Sequence, residues 1–153
     1  MRVYADTSVY GGVYDDEFAE ASQAFFNQVR LGVFSLVVSP IVEQELRGAP
    51  SLIRQLFEEV LEVGEREPLV PESLRLQQAY LKAEIVTLKS ETDALHVAHA
   101  TVTGCQVIVS WNFRHIVHFE KIALYNAVNV VQGYSEIRIH TPQEVIDYES
   151  EGF

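Results

Sequence analysis

The apolar positions of the chain fall into short unbroken runs that alternate with stretches of helical spacing. Val3-Tyr4-Ala5, Val33 to Val38 and Gln106 to Val109 are compact runs of the kind that suits strands buried on both faces. Between the first two, Glu17 to Leu31 spaces Phe18, Ala21, Phe25 and Val29 along one helical face, Ala24 and Phe26 widen it, and Gly32 ends it. Ser39-Pro40 supplies an N-cap serine and a proline at the first helical position. Two further helices are expected over Ser51 to Val63 and Pro71 to Leu88, with Gly64 to Pro71 as the loop between them. Ser90-Glu91-Thr92-Asp93 has the form of a capping box ahead of the apolar helix Ala94 to Thr101, which Gly104 ends. A helix over Arg114 to Ala127, a last strand over Glu136 to Ile139 and a capped helix from Thr141-Pro142-Gln143-Glu144 complete the reading. After the first strand, Gly11-Gly12 break the pattern. The alternation of strand and helix predicts an α/β fold on a mainly parallel sheet, in one domain over residues 1–153.

Composition narrows the class. The 153 residues are 48% hydrophobic and 22% charged, ordinary globular usage and enough chain for one core. No apolar run approaches the roughly 20 residues that span a bilayer, and no long apolar leader segment opens the chain, so a cytoplasmic protein without membrane contact is expected. Cys105, the one cysteine, sits at a strand entrance and reads as a quiet structural thiol. The net charge of −11 argues against broad adhesion to nucleic acid or anionic membrane and leaves room for a local basic rim. The acids gather at Asp15-Asp16-Glu17, from Glu58 to Glu72 and from Glu149 to Glu151, as solvated faces or partner surfaces.

Candidate chemistry collects at strand ends and helix starts. Asp6, in Asp6-Thr7-Ser8, closes the first buried strand, where open α/β sheets place their ligand crevice; the plainer role is a turn or helix cap. Glu45 shares a helix face with Ile41 and Val42, so its carboxylate needs a partner unless the head stays wet at a rim. Asp93 opens a helix that packs deep against the sheet, although capping alone explains an acid there. Ser110-Trp111-Asn112-Phe113 takes the place after a later strand that Asp6-Thr7-Ser8 takes after the first. If these oxygens converge, like charges about 4 Å apart repel by roughly 4 kcal/mol at an effective dielectric of 20, and the cluster requires a proton or a cation. Hard oxygen donors without thiolate favour Mg²⁺ or Mn²⁺. His96/His99 and His115/His118 have an i,i+3 spacing that can bind zinc, but neither pair stands in a zinc motif. A phosphoacceptor domain with an acidic Mg²⁺ pocket would carry a lysine after a late strand, and none stands next to Val107 to Ser110.

Four segments in order, YADTSVY, SPIVEQEL, TDALHVAHAT and VIVSWNFRHI, give the chain a resemblance to the PIN domain family, and specifically to single-domain VapC-type toxins. The resemblance spans nearly the whole chain. It implies a three-layer α/β/α sandwich and a Mg²⁺- or Mn²⁺-dependent endoribonuclease, the toxin of a toxin-antitoxin pair. Asp6, Glu45 and Asp93 match the acids of the family's motifs, as catalytic residues and metal ligands, and Asn112 stands where an aspartate is common. An amide oxygen can ligate but brings no charge and accepts no proton. An alternative is therefore a degenerate PIN domain that binds RNA or protein without cutting. Thr7, Ser8, Ser110 and Arg114 are the further candidates for holding a water or a phosphate, with His115 beside them. The implied partners are an RNA substrate, an antitoxin protein and a second copy of the chain in a homodimer.

Overall fold

The sheet is built from strands of two to four residues, and the most buried lies in the middle. In the computed structural model, which describes residues 1–150 and side chains as far as Ile146, β1 (Arg2–Ala5) has Val3, Tyr4 and Ala5 fully buried. It pairs in parallel with β2 (Ser35–Val38) on one side and β4 (Val107–Val109) on the other. β3 (Glu65–Arg66) and β5 (Arg138–His140) form the edges, giving the all-parallel order β3-β2-β1-β4-β5. The chain order reverses direction at β1, so the crevice beyond the ends of β1 and β4 is the topological switch point.

Helices cover the sheet in two groups. α1 (Thr7–Gly12), α2 (Ala19–Arg30), α4 (Ser51–Val63) and α8 (Pro142–Ser150) pack with one another; α5 (Pro71–Lys82), α6 (Glu91–Val102) and α7 (Phe119–Val131) form the second group. The short α3 (Pro40–Glu45) follows β2. The result is the expected α/β/α sandwich. Its core runs through Tyr4, Tyr10, Phe25, Phe26, Leu36, Val97 and Ile108, each essentially without solvent contact.

Several local expectations hold at atomic detail. Ser39 Oγ accepts the Val42 N–H at 3.3 Å, with Pro40 at the first helical position. Thr141 and Glu144 form a reciprocal capping box, the Thr141 N–H donating to Glu144 Oε1 at 2.9 Å and the Glu144 N–H to Thr141 Oγ1 at 3.3 Å. Cys105 is buried, and burial pushes its thiol up to about 11, as an inert structural cysteine requires.

Other expectations are corrected. Gly11-Gly12 do not break the chain but end the helical turn α1, where a Cβ on Gly12 would stand 2.6 Å from Ser22 Oγ and 2.9 Å from Trp111 Nε1. The loop after Gly64 contains β3, whose exposed Glu65 and Arg66 carry no apolar signal. α5 stops at Lys82, and a 3₁₀ turn occupies Leu88–Ser90. The capping box at Ser90 does not form: Ser90 is the N-cap of α6, yet its side chain bonds no backbone N–H. α7 starts at Phe119, not Arg114, because Asn112 folds the preceding segment into a turn. The last strand is Arg138–His140. Of the acidic tail, the side chains of Glu149 and Glu151 lie outside those described.

Candidate active site

Asp6 leaves β1 with its N–H bonded to Val109 O at 3.2 Å, which seats it between the ends of β1 and β4. Its side chain is 3% exposed. Ser8 Oγ donates to Asp6 Oδ1 at 2.5 Å and Ser110 Oγ donates to Oδ2 at 2.8 Å. The same hydroxyls accept backbone N–H groups, Ser8 from Trp111 and Ser110 from Asn112, each at 2.9 Å. The serines are thereby fixed as donors toward the acid. Burial holds the Asp6 carboxyl above the ordinary aspartate range; the charge of His96 and the two serine bonds oppose this, and Asp93 adds to it.

Glu45 ends α3 at the rim of the crevice. Its neighbours Ile41 and Val42 are buried as the face argument requires, while its own side chain is 39% exposed with the head paired. Oε1 accepts from Thr7 Oγ1 and from His96 Nε2, both at 2.6 Å. His96 Nδ1 lies 2.7 Å from the Tyr4 hydroxyl, which lies 2.7 Å from Ser39 Oγ. Ser39, Tyr4 and His96 thus form one buried hydrogen-bonded chain, and its outer end, the His96 Nε2–H, donates to Glu45 Oε1. Burial raises the Glu45 carboxyl, but the hydrogen bond and charge of His96 and the bond from Thr7 outweigh it and leave the group below the usual range. Oε2 carries no hydrogen bond from the described residues.

Asp93 occupies the first turn of α6 and caps nothing. It is half-buried and has no side-chain hydrogen bond or ion pair among the described residues, yet its charge raises both Asp6 and Tyr125. Asn112 is used differently. Its Oδ1 accepts the N–H of Arg114 at 3.2 Å and of His115 at 2.9 Å, so both lone pairs of its one acceptor are taken within the turn.

Of the four expected ligands, Asp93 acts on Asp6 through its charge, Glu45 is held at the rim by His96 and Thr7, and the Asn112 oxygen is spent on the backbone N–H groups of its turn. Among the described residues, no three His, Cys, Asp or Glu side chains stand close enough to form a metal-ligating group. Thr7, Ser8 and Ser110 orient carboxylates, and exposed Arg114 makes no side-chain bond among the described residues. The histidine pairs share no ligand: His99 bonds Ser73 Oγ at 2.9 Å and Glu67 O at 3.0 Å, whereas His115 faces Lys121. Sequence reasoning missed Tyr4, Ser39 and His96 as the support of Glu45. The available signal was His96 itself, one turn beyond Asp93 on a helix otherwise made of small apolar residues.

The all-parallel five-stranded sheet between two groups of helices defines the fold class, a PIN-like α/β/α sandwich. A chain of VapBC2 from Rickettsia felis, solved bound to a DNA fragment from their promoter, matches with a TM-score of 0.59 over 92% of this chain and 98% of that one, at 11% identity. At that identity the likeness carries the fold, a PIN-like α/β/α sandwich, and not the residues. No protein-family model matches the sequence, and no curated protein does.

Proposed function

We propose that the protein is a Mg²⁺- or Mn²⁺-dependent endoribonuclease, a single domain acting as the toxin of a toxin-antitoxin pair. The observation that carries this reading is Asp93: a half-buried carboxylate with no hydrogen bond or ion pair among the described residues, whose charge acts to raise the buried Asp6. Two carboxylates so placed suit a cation, and their oxygen-only chemistry suits a hard one. Bound there, the metal would polarise a phosphodiester oxygen and acidify a water.

Asp6 and Asp93 would hold the ion on this reading, and Glu45, its Oε2 without a hydrogen bond among the described residues, would be the further donor at the rim. Ser8 and Ser110 fix the Asp6 carboxylate, so its oxygens need no reorganisation when charge develops at phosphorus. The lowered Glu45 carboxyl is a firm anion and a weak base. It orients the attacking water by accepting one O–H, and the proton passes to solvent. Likeness to a chain of a VapBC complex supports an antitoxin as partner. A homodimer in the cytoplasm completes the reading, and no helix among the described residues is long and apolar enough to cross a membrane.

One observation favours a second reading, a PIN-like domain that binds RNA or protein without cutting: the Asn112 oxygen is occupied and uncharged. Incubating a structured RNA with the protein and Mn²⁺, against a chelator control, separates the two. The nuclease reading expects chelator-sensitive cleavage that Asp6→Asn and Asp93→Asn abolish. Absence of metal-dependent cleavage, or its persistence in both variants, refutes it.

A further inference from the structure

The segment after β4 carries an aromatic wall beside the acids. Trp111 stacks on Phe18 with ring centroids 4.3 Å apart and planes 17° from parallel, and Phe113 stands 6.3 Å from both rings. The wall is locked in place. Trp111 Nε1 donates to Ser22 Oγ at 2.8 Å, and its backbone N–H donates to Ser8 Oγ, the hydroxyl that bonds Asp6. The absence of a Cβ at Gly12 is what admits the indole. Phe113 itself is 50% exposed, its ring available next to the crevice.

The charge around this ring runs against that of the whole protein. The chain carries −11, yet Phe113 to Lys121 holds Arg114 and Lys121 against Glu120 alone. Arg114 is exposed without a side-chain partner among the described residues. Lys121 Nζ lies 3.2 Å from His115 Nδ1, on the same segment as Arg114. An exposed ring followed directly by an unpaired guanidinium, with a second cation on the same segment, suits a polyanion that also offers flat apolar faces and suits an apolar peptide poorly.

We propose that Phe113, backed by Trp111 and Phe18, is a stacking face for a base of single-stranded RNA, with Arg114 and Lys121 receiving the adjoining phosphates. The choice of RNA rests on the ribonuclease reading. Stacking on a π-face is tolerant of sequence, and the planar fork of Arg114 matches a phosphate. Through Ser8 the wall is one hydroxyl from Asp6, which lays the strand across the acids.

Binding is measured in chelator, so that no cleavage intervenes, by titrating the full chain with a labelled adenosine dodecaribonucleotide. Trp111, the protein's one tryptophan, reports occupancy of the wall through its fluorescence. The expected results are quenching of Trp111, a loss of affinity of about fivefold to a hundredfold in Phe113→Ala and wild-type affinity in Phe113→Tyr. Arg114→Gln is expected to reduce the slope of log affinity against log salt by about 0.7. Melting temperatures establish that each variant is folded. Unchanged affinity in Phe113→Ala, the outcome expected if the ring serves a protein contact, overturns the assignment, as does equal loss in Phe113→Tyr. Phe113-dependent binding without metal-dependent cleavage would refute the nuclease reading and leave the stacking face standing. Cleavage with an unchanged KM in Phe113→Ala would do the reverse.

Discussion

Asp6→Asn should make the metal-free protein more stable at neutral pH. The Asp6 carboxylate is 3% exposed and no salt bridge reaches it among the described residues; its only side-chain hydrogen bonds come from Ser8 and Ser110. Those bonds are already counted in its raised pKa, so the charged form remains disfavoured after they have acted. The unfolded chain has an ordinary aspartate near 3.9. A raised folded value means that the folded state holds the proton to higher pH, so the penalty is absent below the unfolded pKa and grows as pH rises through the folded one. Asparagine keeps the shape and removes the charge; its amide nitrogen donates to one of the two serines, whose freed O–H turns to the other serine oxygen 3.5 Å away. Relief of such a site is worth about 0.5–2 kcal/mol, or roughly 1–8 °C in a chain of this length. Thermal melts in chelator at pH 7.5 and near pH 4 read the effect, which should shrink at the lower pH. Mn²⁺ at a hundred times its Kd should then raise wild type by about 2.7 kcal/mol and the variant by less. A variant that melts below wild type at pH 7.5 in chelator, or equal Mn²⁺ shifts in the two proteins, would refute the reasoning.

Three further outcomes follow from the same geometry. His96→Phe keeps the bulk but leaves the Tyr4 hydroxyl with Ser39 alone and Glu45 with Thr7 alone, costing about 1–3 kcal/mol in chemical denaturation. Glu45 then stays protonated to higher pH, so the acidic limb of the pH–rate profile should move upward. Asn112→Asp retains an oxygen for the two turn N–H groups and adds a charge. It should tighten Mn²⁺ binding in calorimetry and raise cleavage, and unchanged affinity would show that the position does not face the metal. Gly12→Ala forces a methyl against Ser22 Oγ and Trp111 Nε1, so a loss of about 1–3 kcal/mol with a red shift in tryptophan emission is expected.

The central strands were legible because runs buried on both faces, such as Val107 to Val109, leave an unbroken apolar trace. β3 left none, since an exposed two-residue edge strand is recruited by β2 and not by its own residues. The Thr141 capping box formed and the Ser90 one did not, although both have the same spacing. In the second case a 3₁₀ turn runs directly into α6 and alters the approach of the chain. The start of α7 was misplaced because Asn112 was read for its chemistry and not for its ability to cap a turn. Asp6 was legible from its position after a buried strand. The support of Glu45 was not, because Tyr4 and His96 lie 92 residues apart and meet only once β1 and α6 are packed.

The most direct test of the central claim, that Asp6 and Asp93 together hold a divalent cation, is calorimetric titration of Mn²⁺ into wild type and Asp93→Asn, both confirmed as folded. Asp93 makes no hydrogen bond or ion pair among the described side chains, so its loss should remove the ion without breaking a bond of the fold. The account predicts one saturable Mn²⁺ site in wild type, weakened at least tenfold (about 1.4 kcal/mol) in the variant. Equal affinity in the two proteins, or no Mn²⁺ binding in wild type, would contradict it.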